Sequence, residues 1–485
     1  MHIDCPLRQA AMTSPDSAAL RFGSDLVSYG ALDIAVNQLA ANLLRSGIAA
    51  DTRVGILADN SPDYVQLLMA LLRIGAVAVP LNPRLTPNDW HNRLQEAAVN
   101  LVVCGEDLQE QLGTARPSLS IDALAVAGQA SRPTPLSPIL LNSDQLATII
   151  FTSGSGGAAK GVMLTLGNHI SNAVGSNDNI PLSSGDTWLL SLPLCHVGGL
   201  GILFRCLLAR AAMYLVNRFE PAQVIDLVDR GEITHLSLVP TMLLDLLRVR
   251  GHRSLPASLK AILLSGAPTP PALLEQILRL KLPIVTSYGL SEGASQVTAT
   301  RIGDTPAHLA TNGRPLRYRE VRIADDDRRD CATGTIGEIL VRGVVMFRGY
   351  LNEPPREPAA WFATGDLGSL SEDGYLTVTG RKDRMFISGG ENIYPEEIER
   401  CAQLLSSVRE AVCIAVPHER WGMRPALVVE TAAGSPLDLD ALRQHLAHQL
   451  PRFKQPDKII FVEKLPRTGI DKVDRARVAQ ILAKS

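Results

Sequence analysis

The chain has 485 residues, 46% of them hydrophobic and 20% charged, with 47 lysines and arginines against 49 acidic residues for a formal net charge of −2. That length is more than one hydrophobic core normally fills, so two or more domains are expected, and the composition excludes wholesale disorder. The near-balanced charge gives no general basic field for a nucleic-acid backbone or an anionic membrane.

The first residues, MHIDCPLRQAAMTSPDS, carry no apolar core of signal-peptide length, and Arg73, Arg205 and Arg210 interrupt the most apolar segments before spanning length. A soluble cytoplasmic protein with no integral membrane segment and no nucleic-acid partner is expected; a homo-oligomer stays open. Seven scattered cysteines without a CxxC pair read as reduced thiols rather than as a disulfide framework or a zinc site. Cys195 and His196 are sequence neighbours on an extended segment, where adjacent side chains point to opposite faces, so a thiol–imidazole pair is not expected.

From Ser28 to about Val103, helix-period segments (Tyr29 to Ser46, Tyr64 to Ile74) alternate with β-branched runs (Val54 to Leu57, Val77 to Leu81), which predicts stacked βα units with parallel strands. A Ser-, Pro- and Ala-rich stretch from Gly113 to Pro138 reads as irregular connection. Leu189 to Val216 reads as a strand, a turn of glycines (Gly198, Gly199, Gly201) and an apolar helix; Thr234 to Val239 and Ala261 to Leu264 read as buried strands. Val321 to Val378 has the texture of a small β-rich subdomain. The tail alternates helices (Pro395 to Leu404, Asp438 to Gln449) with strands (Ala411 to Val416, Pro425 to Glu430), an α+β unit large enough to be a domain. The expected division is 1–382 and 383–485, at the charged segment Arg381, Lys382, Asp383.

After the apolar run Leu146 to Ile150 comes FTSGSGGAAKGV, Phe151 to Val162, a loop of glycines, hydroxyls and one lysine suited to phosphate. A Walker loop fails here, because Ala159 stands where its second glycine belongs and Gly161 follows Lys160. A dinucleotide fingerprint fits through Gly154, Gly156 and Ala159, with Asp178 downstream, but a glycine and a β-branched residue follow at Gly161 and Val162 where a helix should open. The third reading is a loop wrapping the β and γ phosphates of ATP, and the loop alone leaves these open.

Four further segments accompany it in order: SYGLSE (Ser287 to Glu292), FATGD (Phe362 to Asp366), GRKDRMFISGGENIYPEEIE (Gly380 to Glu399) and PRTGIDK (Pro466 to Lys472). With these the chain resembles, over nearly its whole length, the adenylate-forming superfamily of acyl-CoA synthetases, luciferases and peptide-synthetase adenylation domains. The resemblance implies an α/β fold: a large N-terminal domain of stacked βα sheets plus a small β-barrel subdomain, and a small mobile α+β C-terminal domain. It implies ATP, Mg²⁺ and coenzyme A as the cofactor and co-substrates, with a carboxylic acid as the group activated.

By the same resemblance, Thr152, Ser153, Gly154, Ser155, Gly156, Gly157 and Lys160 would hold phosphate. Gly266, Ala267, Ser287, Tyr288 and Gly289 would surround adenine, and Asp366 with Arg381 would hold the ribose. Glu292 would bind the metal, with Ser291 at the α-phosphate. Lys472 on the tail would bridge the substrate carboxylate and the α-phosphate. The tail would then turn about Asp383 and present Ser388, Gly389 and Gly390 to the pantetheine arm of CoA.

Relatives usually carry Thr at Gly156, Pro at Ala159 and Gly at Asp471. The first change removes a donor and adds chain entropy, and Asp is one of few residues besides glycine that tolerates positive φ.

For the acid, LPLCHVGGLGILFRCLLAR, VNRF, THLSLVPTML and SYGLSEGASQ are most similar to the branch of the superfamily that activates o-succinylbenzoate in menaquinone biosynthesis. That acid has a second carboxylate. Arg205 would pair with it or else snorkel from the polar side of its helix, and His196, Thr241, Gly289, Ser295 and Gln296 would form the walls. The alternatives are another aryl- or fatty-acid-CoA ligase, a nicotinamide oxidoreductase and a non-catalytic nucleotide-binding protein.

Overall fold

The computed structural model describes residues 2–113, 117–121, 140–152, 159–251, 253–267, 269–388, 391–419, 421–432, 437–468 and 472–484. Short runs buried along their whole length build its centre. Val77–Pro80, Thr187–Leu190, Ala212–Leu215 and Ala261–Leu264 are interior at every position. Such strands have helices on both faces and pair in parallel. They belong to two large sheets.

The first sheet has the order Gly349–Tyr350, Lys160–Thr165, Leu146–Thr152, Val77–Pro80, Arg53–Leu57, Leu101–Cys104, Ser118–Ser120. The second runs from Arg314–Pro315 through Ser295–Ala299, Ile284–Leu290, Ala261–Leu264, His235–Leu238, Thr187–Leu190, Ala212–Leu215 and Ala18–Phe22 to Asp25–Ser28. One continuous apolar core joins elements of both sheets with the helices Tyr29–Arg45, Pro62–Arg73 and Val197–Ala209. In both sheets the parallel centre ends in antiparallel strands, Lys160–Thr165 in the first and Ser295–Ala299 in the second. Thr152 and Lys160, which bound the phosphate-type loop, and the SYGLSE segment sit at these edges.

The β-rich segment forms a four-stranded antiparallel sheet, Arg319–Ala324, Gly337–Gly343, Phe362–Leu370 and Leu376–Arg381, where the small barrel was expected. The tail has its own sheet and core: Val408–His418 and Gly422–Thr431 pair as a long hairpin, with Lys458–Val462 parallel to the second of them. The α/β class with a large N-terminal part and a smaller C-terminal part is as expected. Most of Gly113 to Pro138 lies outside the described residues.

One expectation is corrected. Gly198, Gly199 and Gly201 do not form a turn; they lie within the helix Val197–Ala209, which ends before Ala212–Leu215 begins as a strand. Their role is close approach rather than reversal. A Cβ on Gly199 would stand 2.7 Å from the Pro193 carbonyl carbon and 2.8 Å from the Leu192 oxygen. Among the described residues no helix is long and apolar enough to cross a membrane. All seven cysteines are free.

Candidate active site

The register of two neighbouring strands brings Asp366 and Arg381 together as direct antiparallel partners. Arg381 donates from Nη1 to Asp366 Oδ1 at 3.0 Å and to the Thr364 carbonyl at 3.1 Å, and from Nε to Asp383 Oδ1 at 3.2 Å. Gly365 makes this possible: its φ is +72°, and a Cβ there would lie 2.9 Å from Arg381 Nη2. From the second of the two large sheets, the Tyr288 hydroxyl donates to Asp366 Oδ2 at 2.6 Å. Burial, and then the Asp366 charge, push that hydroxyl well above the ordinary tyrosine range, so it stays a donor. Each Asp366 oxygen is fixed by one donor, and a carboxylate has further lone pairs for a diol.

Glu292 stands in the one-turn helix Ser291–Gly293 that follows the strand Ile284–Leu290. Its Oε1 accepts the Tyr350 hydroxyl at 2.7 Å, and its backbone carbonyl accepts from the Phe347 amide at 2.7 Å. Asn168 steadies that second loop by donating to the Val344 and Met346 carbonyls, each at 2.9 Å. The Lys160 ammonium lies 4.4 Å from the Tyr350 ring centre and 3.7 Å from Glu353 Oε1. Thr152 Oγ1 donates to the Lys160 carbonyl at 3.4 Å. Ser153, Gly154, Ser155, Gly156 and Gly157 lie outside the described residues.

Among the described residues no group of three acidic, His or Cys side chains forms a self-sufficient metal cage. One carboxylate, Glu292, hydrogen-bonded to Tyr350 whose ring lies under the Lys160 ammonium, is instead a donor that suits Mg²⁺, which takes one or two carboxylates, waters and the phosphates of its substrate.

The remaining nucleotide candidates divide. Gly266, at φ +89°, and Ala267 are exposed beyond the strand Ala261–Leu264, and Gly289 is exposed at a bulge. Ser291 is half-buried. Ser287 faces the interior: its hydroxyl donates to the Thr298 carbonyl at 2.7 Å, so it is not free for a ligand.

His196 caps the helix Val197–Ala209 through its backbone, on a loop that Asn60 fixes by accepting from the Leu194 amide at 2.9 Å and donating to the Leu192 carbonyl at 3.0 Å. Burial first, then the charges of Lys472, Arg93 and Arg84, push its imidazole down to about 4, so it is neutral near pH 7. Lys472 lies on the far segment of the chain, yet its ammonium feels Arg384 and Asp366. Loss of hydration and then Arg384 push it down while Asp366 opposes. Lys472 is exposed to solvent. The tail lysine thus lies within electrostatic reach of both Asp366 and His196. The neighbouring Cys195 thiol is pushed up to about 12 by burial and is no nucleophile.

Arg205 does not snorkel. It is 1% exposed, with Nη2 on Ser295 Oγ at 3.4 Å and its guanidinium 5.3 Å from the Trp188 ring centre. Gln296 is buried beside it, donating to Ser287 Oγ at 3.3 Å. Ala294 and Ser295 hold positive φ, +58° and +136°, which is backbone strain of the kind found where structure over-determines a site. Thr241 is exposed on the first turn of the helix Pro240–Arg250, with no hydrogen bond to the others among the described residues. Asp383 is exposed and paired with Arg381. Ser388 is buried against Arg424 at 3.4 Å, and Gly389, Gly390 and Asp471 lie outside the described residues. Sequence reasoning missed Tyr350, Asn60, Arg384 and Arg319, none of which lies in a segment that had a chemical reading except Arg384.

Residues 7–351 match the AMP-binding enzyme family, and residues 397–472 match the AMP-binding enzyme C-terminal domain. The chain is 32% identical over 483 residues to the 2-succinylbenzoate–CoA ligase of Geobacillus kaustophilus, covering 99% of this chain and 98% of that protein. Among solved structures it is similar to o-succinylbenzoate CoA synthetase (MenE) from Bacillus subtilis, at 29% identity. The complex with the acyl-adenylate intermediate OSB-AMP gives a TM-score of 0.92, covering 99% of this chain and 98% of that one. The complex with ATP and magnesium gives 0.91, covering 99% and 100%. A double mutant bound to the product analogue OSB-NCoA gives 0.75 at the same identity, covering 99% and 98%.

Proposed function

The chain belongs to the AMP-binding enzyme family, and from that premise we propose that it is an ATP- and Mg²⁺-dependent acid–CoA ligase acting on 2-succinylbenzoate in menaquinone biosynthesis. The observation that carries the mechanism is Asp366, held by the Tyr288 hydroxyl on one oxygen and by Arg381 on the other, with Lys472 of the last segment within electrostatic reach of it.

In the first half-reaction a carboxylate oxygen attacks the α-phosphorus of ATP. The bond from that phosphorus to the bridging oxygen breaks, and pyrophosphate leaves. Negative charge converges on the α-phosphate as this happens, and a preorganised cation there lowers the barrier. Lys472 supplies it. Asp366, held by Tyr288 and Arg381, accepts the ribose hydroxyls; Tyr288, Gly266, Ala267 and Gly289 border the adenine. Lys160, Thr152 and the loop 153–157 hold the β and γ phosphates, and Ser291 the α-phosphate. Glu292, oriented by Tyr350, holds Mg²⁺, which when bound neutralises triphosphate charge. His196, being neutral, borders the acid as a packing and hydrogen-bonding group, with Thr241, Ser295 and Gln296, and Arg205 holds the second carboxylate.

In the second half-reaction the CoA thiolate attacks the acyl carbon, a thioester forms and AMP leaves. The tail, 383–485, turns about Asp383 between the two steps, bringing Ser388, Gly389 and Gly390 toward the pantetheine arm. Two kinds of evidence support the turn: this chain superposes better on the ATP and adenylate complexes than on the product-analogue complex of the same relative, and the sheet ending at Arg381 is separate from the one beginning at Phe386. The enzyme works in the cytoplasm, where ATP and CoA are available, without a nucleic-acid or integral-membrane partner.

The test is a panel of carboxylic acids assayed for pyrophosphate and CoA thioester. Acid-dependent pyrophosphate release with AMP, greatest for 2-succinylbenzoate, is expected; turnover confined to fatty acids or to simple aryl acids would refute the substrate.

A further inference from the structure

A second buried arginine lies beside Arg205. Arg319 opens the strand Arg319–Ala324 and is 5% exposed. Its Nε donates to the Arg317 carbonyl at 3.0 Å and its Nη1 to the Gln296 carbonyl, while its Nη2 has no hydrogen-bond partner. Arg205 likewise has a buried Nε without one. Neither guanidinium forms an ion pair among the described residues, and after burial it is the Arg205 charge that pushes the Arg319 guanidinium down to about 9.

Two adjacent residues hold the pair: the Ser295 hydroxyl faces Arg205 and the Gln296 carbonyl accepts from Arg319. Two glycines give them room. A Cβ on Gly201 would lie 3.1 Å from Arg205 Nη2, and one on Gly175 would collide with Arg319 Nη2.

Two like charges buried together, with no carboxylate to offset them, are costly, since desolvation and mutual repulsion act in the same direction. An anion entering this place relieves both. Guanidinium is also the cation suited to a carboxylate in a desolvated setting.

We propose that Arg319 and Arg205 form a two-guanidinium receptor for the carboxylate of the acid that is not adenylated, and that Arg319 is the residue that makes the enzyme demand a dicarboxylate. The inference rests on the dicarboxylate reading of the substrate. An acid lacking the second carboxylate leaves the pair uncompensated and is rejected, so selectivity arises from an interaction that fails as much as from one that forms.

The experiment measures kcat/KM for acid-dependent pyrophosphate release by the full-length enzyme. The acids are 2-succinylbenzoate and its two analogues lacking one carboxylate each, 4-oxo-4-phenylbutanoate and 2-butanoylbenzoate. In the wild type 2-succinylbenzoate is preferred over whichever analogue retains the reacting carboxylate. In Arg319→Met that preference falls by about 100-fold, the size expected for losing one member of a buried charge pairing, while KM for ATP stays within about twofold. Arg319→Lys, which restores the charge, recovers at least about tenfold of the preference, which a purely structural role for the side chain would not require.

An Arg319→Met enzyme with a native-like unfolding midpoint and an unchanged preference overturns the receptor. If that variant does not fold, Arg319→Gln, which keeps a donor for the Gln296 carbonyl, is judged by the same criteria. A wild type inactive on 2-succinylbenzoate but active on another acid overturns the substrate reading, and the receptor with it; a wild type active on it whose preference survives in the variants overturns the receptor alone.

Discussion

Replacing Tyr350 by Phe removes one hydroxyl and little else. The ring keeps its edge-on packing with Phe347 at 4.9 Å between centres and its place under the Lys160 ammonium, and the backbone keeps its pairing with Val162. What disappears is the 2.7 Å hydrogen bond to Glu292 Oε1. Burial and the Glu292 charge hold that hydroxyl protonated far above assay pH, so it is a donor throughout. A hydrogen bond to a charged group contributes about 1.5–3 kcal/mol. Loss of an outer partner of a metal-ligating carboxylate weakens metal binding by about 10- to 100-fold, or about 1.4–2.7 kcal/mol, so the two routes agree. In pyrophosphate release at saturating ATP and acid, the Mg²⁺ concentration for half-maximal rate should therefore rise about 10- to 100-fold. The maximal rate at excess Mg²⁺ should stay within about threefold of wild type. An unchanged Mg²⁺ curve would show that Glu292 is not the metal ligand; a lower maximal rate that Mg²⁺ does not restore would place the hydroxyl in the chemistry itself.

Lys472→Ala should slow pyrophosphate release by about 10²- to 10³-fold while changing thioester formation from supplied acyl adenylate by less than about threefold, and equal losses in both assays would remove the division of labour between half-reactions. His169, hydrogen-bonded to Thr148 at 2.9 Å, is pushed by burial to about 3, and His196 to about 4. Both folded values lie below the ordinary 6.5, so the unfolded chain binds more protons; their contribution is complete above pH 6.5 and is lost as pH falls toward 4 and 3. Denaturation midpoints should decline with acid across that window, less steeply in His169→Gln, and parallel curves for the two proteins would contradict the assignment. Gly199→Ala sets a methyl against the Leu192–Pro193 backbone and should lower stability by about 1–3 kcal/mol in thermal unfolding, raising KM for the acid as the His196 loop moves.

How much of this was legible follows from what kind of contact each feature depends on. The parallel sheets were readable because a strand buried on both faces must be apolar throughout, as in Val77–Pro80 and Ala261–Leu264. The glycines at 198–201 were misread because a flexible residue signals a turn locally, whereas here small size admits a close neighbour: the preceding 192–193 backbone for Gly199 and, one helical turn on, the Arg205 guanidinium for Gly201. The motif residues Asp366 and Glu292 could be proposed from their segments, but their partners could not. Tyr288 reaches Asp366 across 78 residues and Tyr350 reaches Glu292 across 58, through sheet edges that only the folded chain brings together.

Arg319 marks the limit most clearly. In the run RPLRYREVR five of nine residues are charged, the ordinary signature of a solvated strand, and Arg317, Glu320 and Arg342 beside it do behave that way. Arg319 alone turns inward, because the first residue of the strand is anchored by the Gln296 and Arg317 carbonyls and Gly175 leaves space for the head group. A charge in a charged run becomes interpretable only when its neighbours in space lack an opposing one. The absence, among the described residues, of a carboxylate beside two buried guanidiniums is therefore a property of packing, not of composition. It links strain at Ser295, room at Gly201 and Gly175, and choice of acid in one arrangement that a carboxylate newly placed beside the pair, as in Gln296→Glu, should disable by pairing with the arginines from within: turnover of 2-succinylbenzoate should fall while the folded state survives, and an enzyme that kept its full preference for that acid would show that the guanidiniums do not face it.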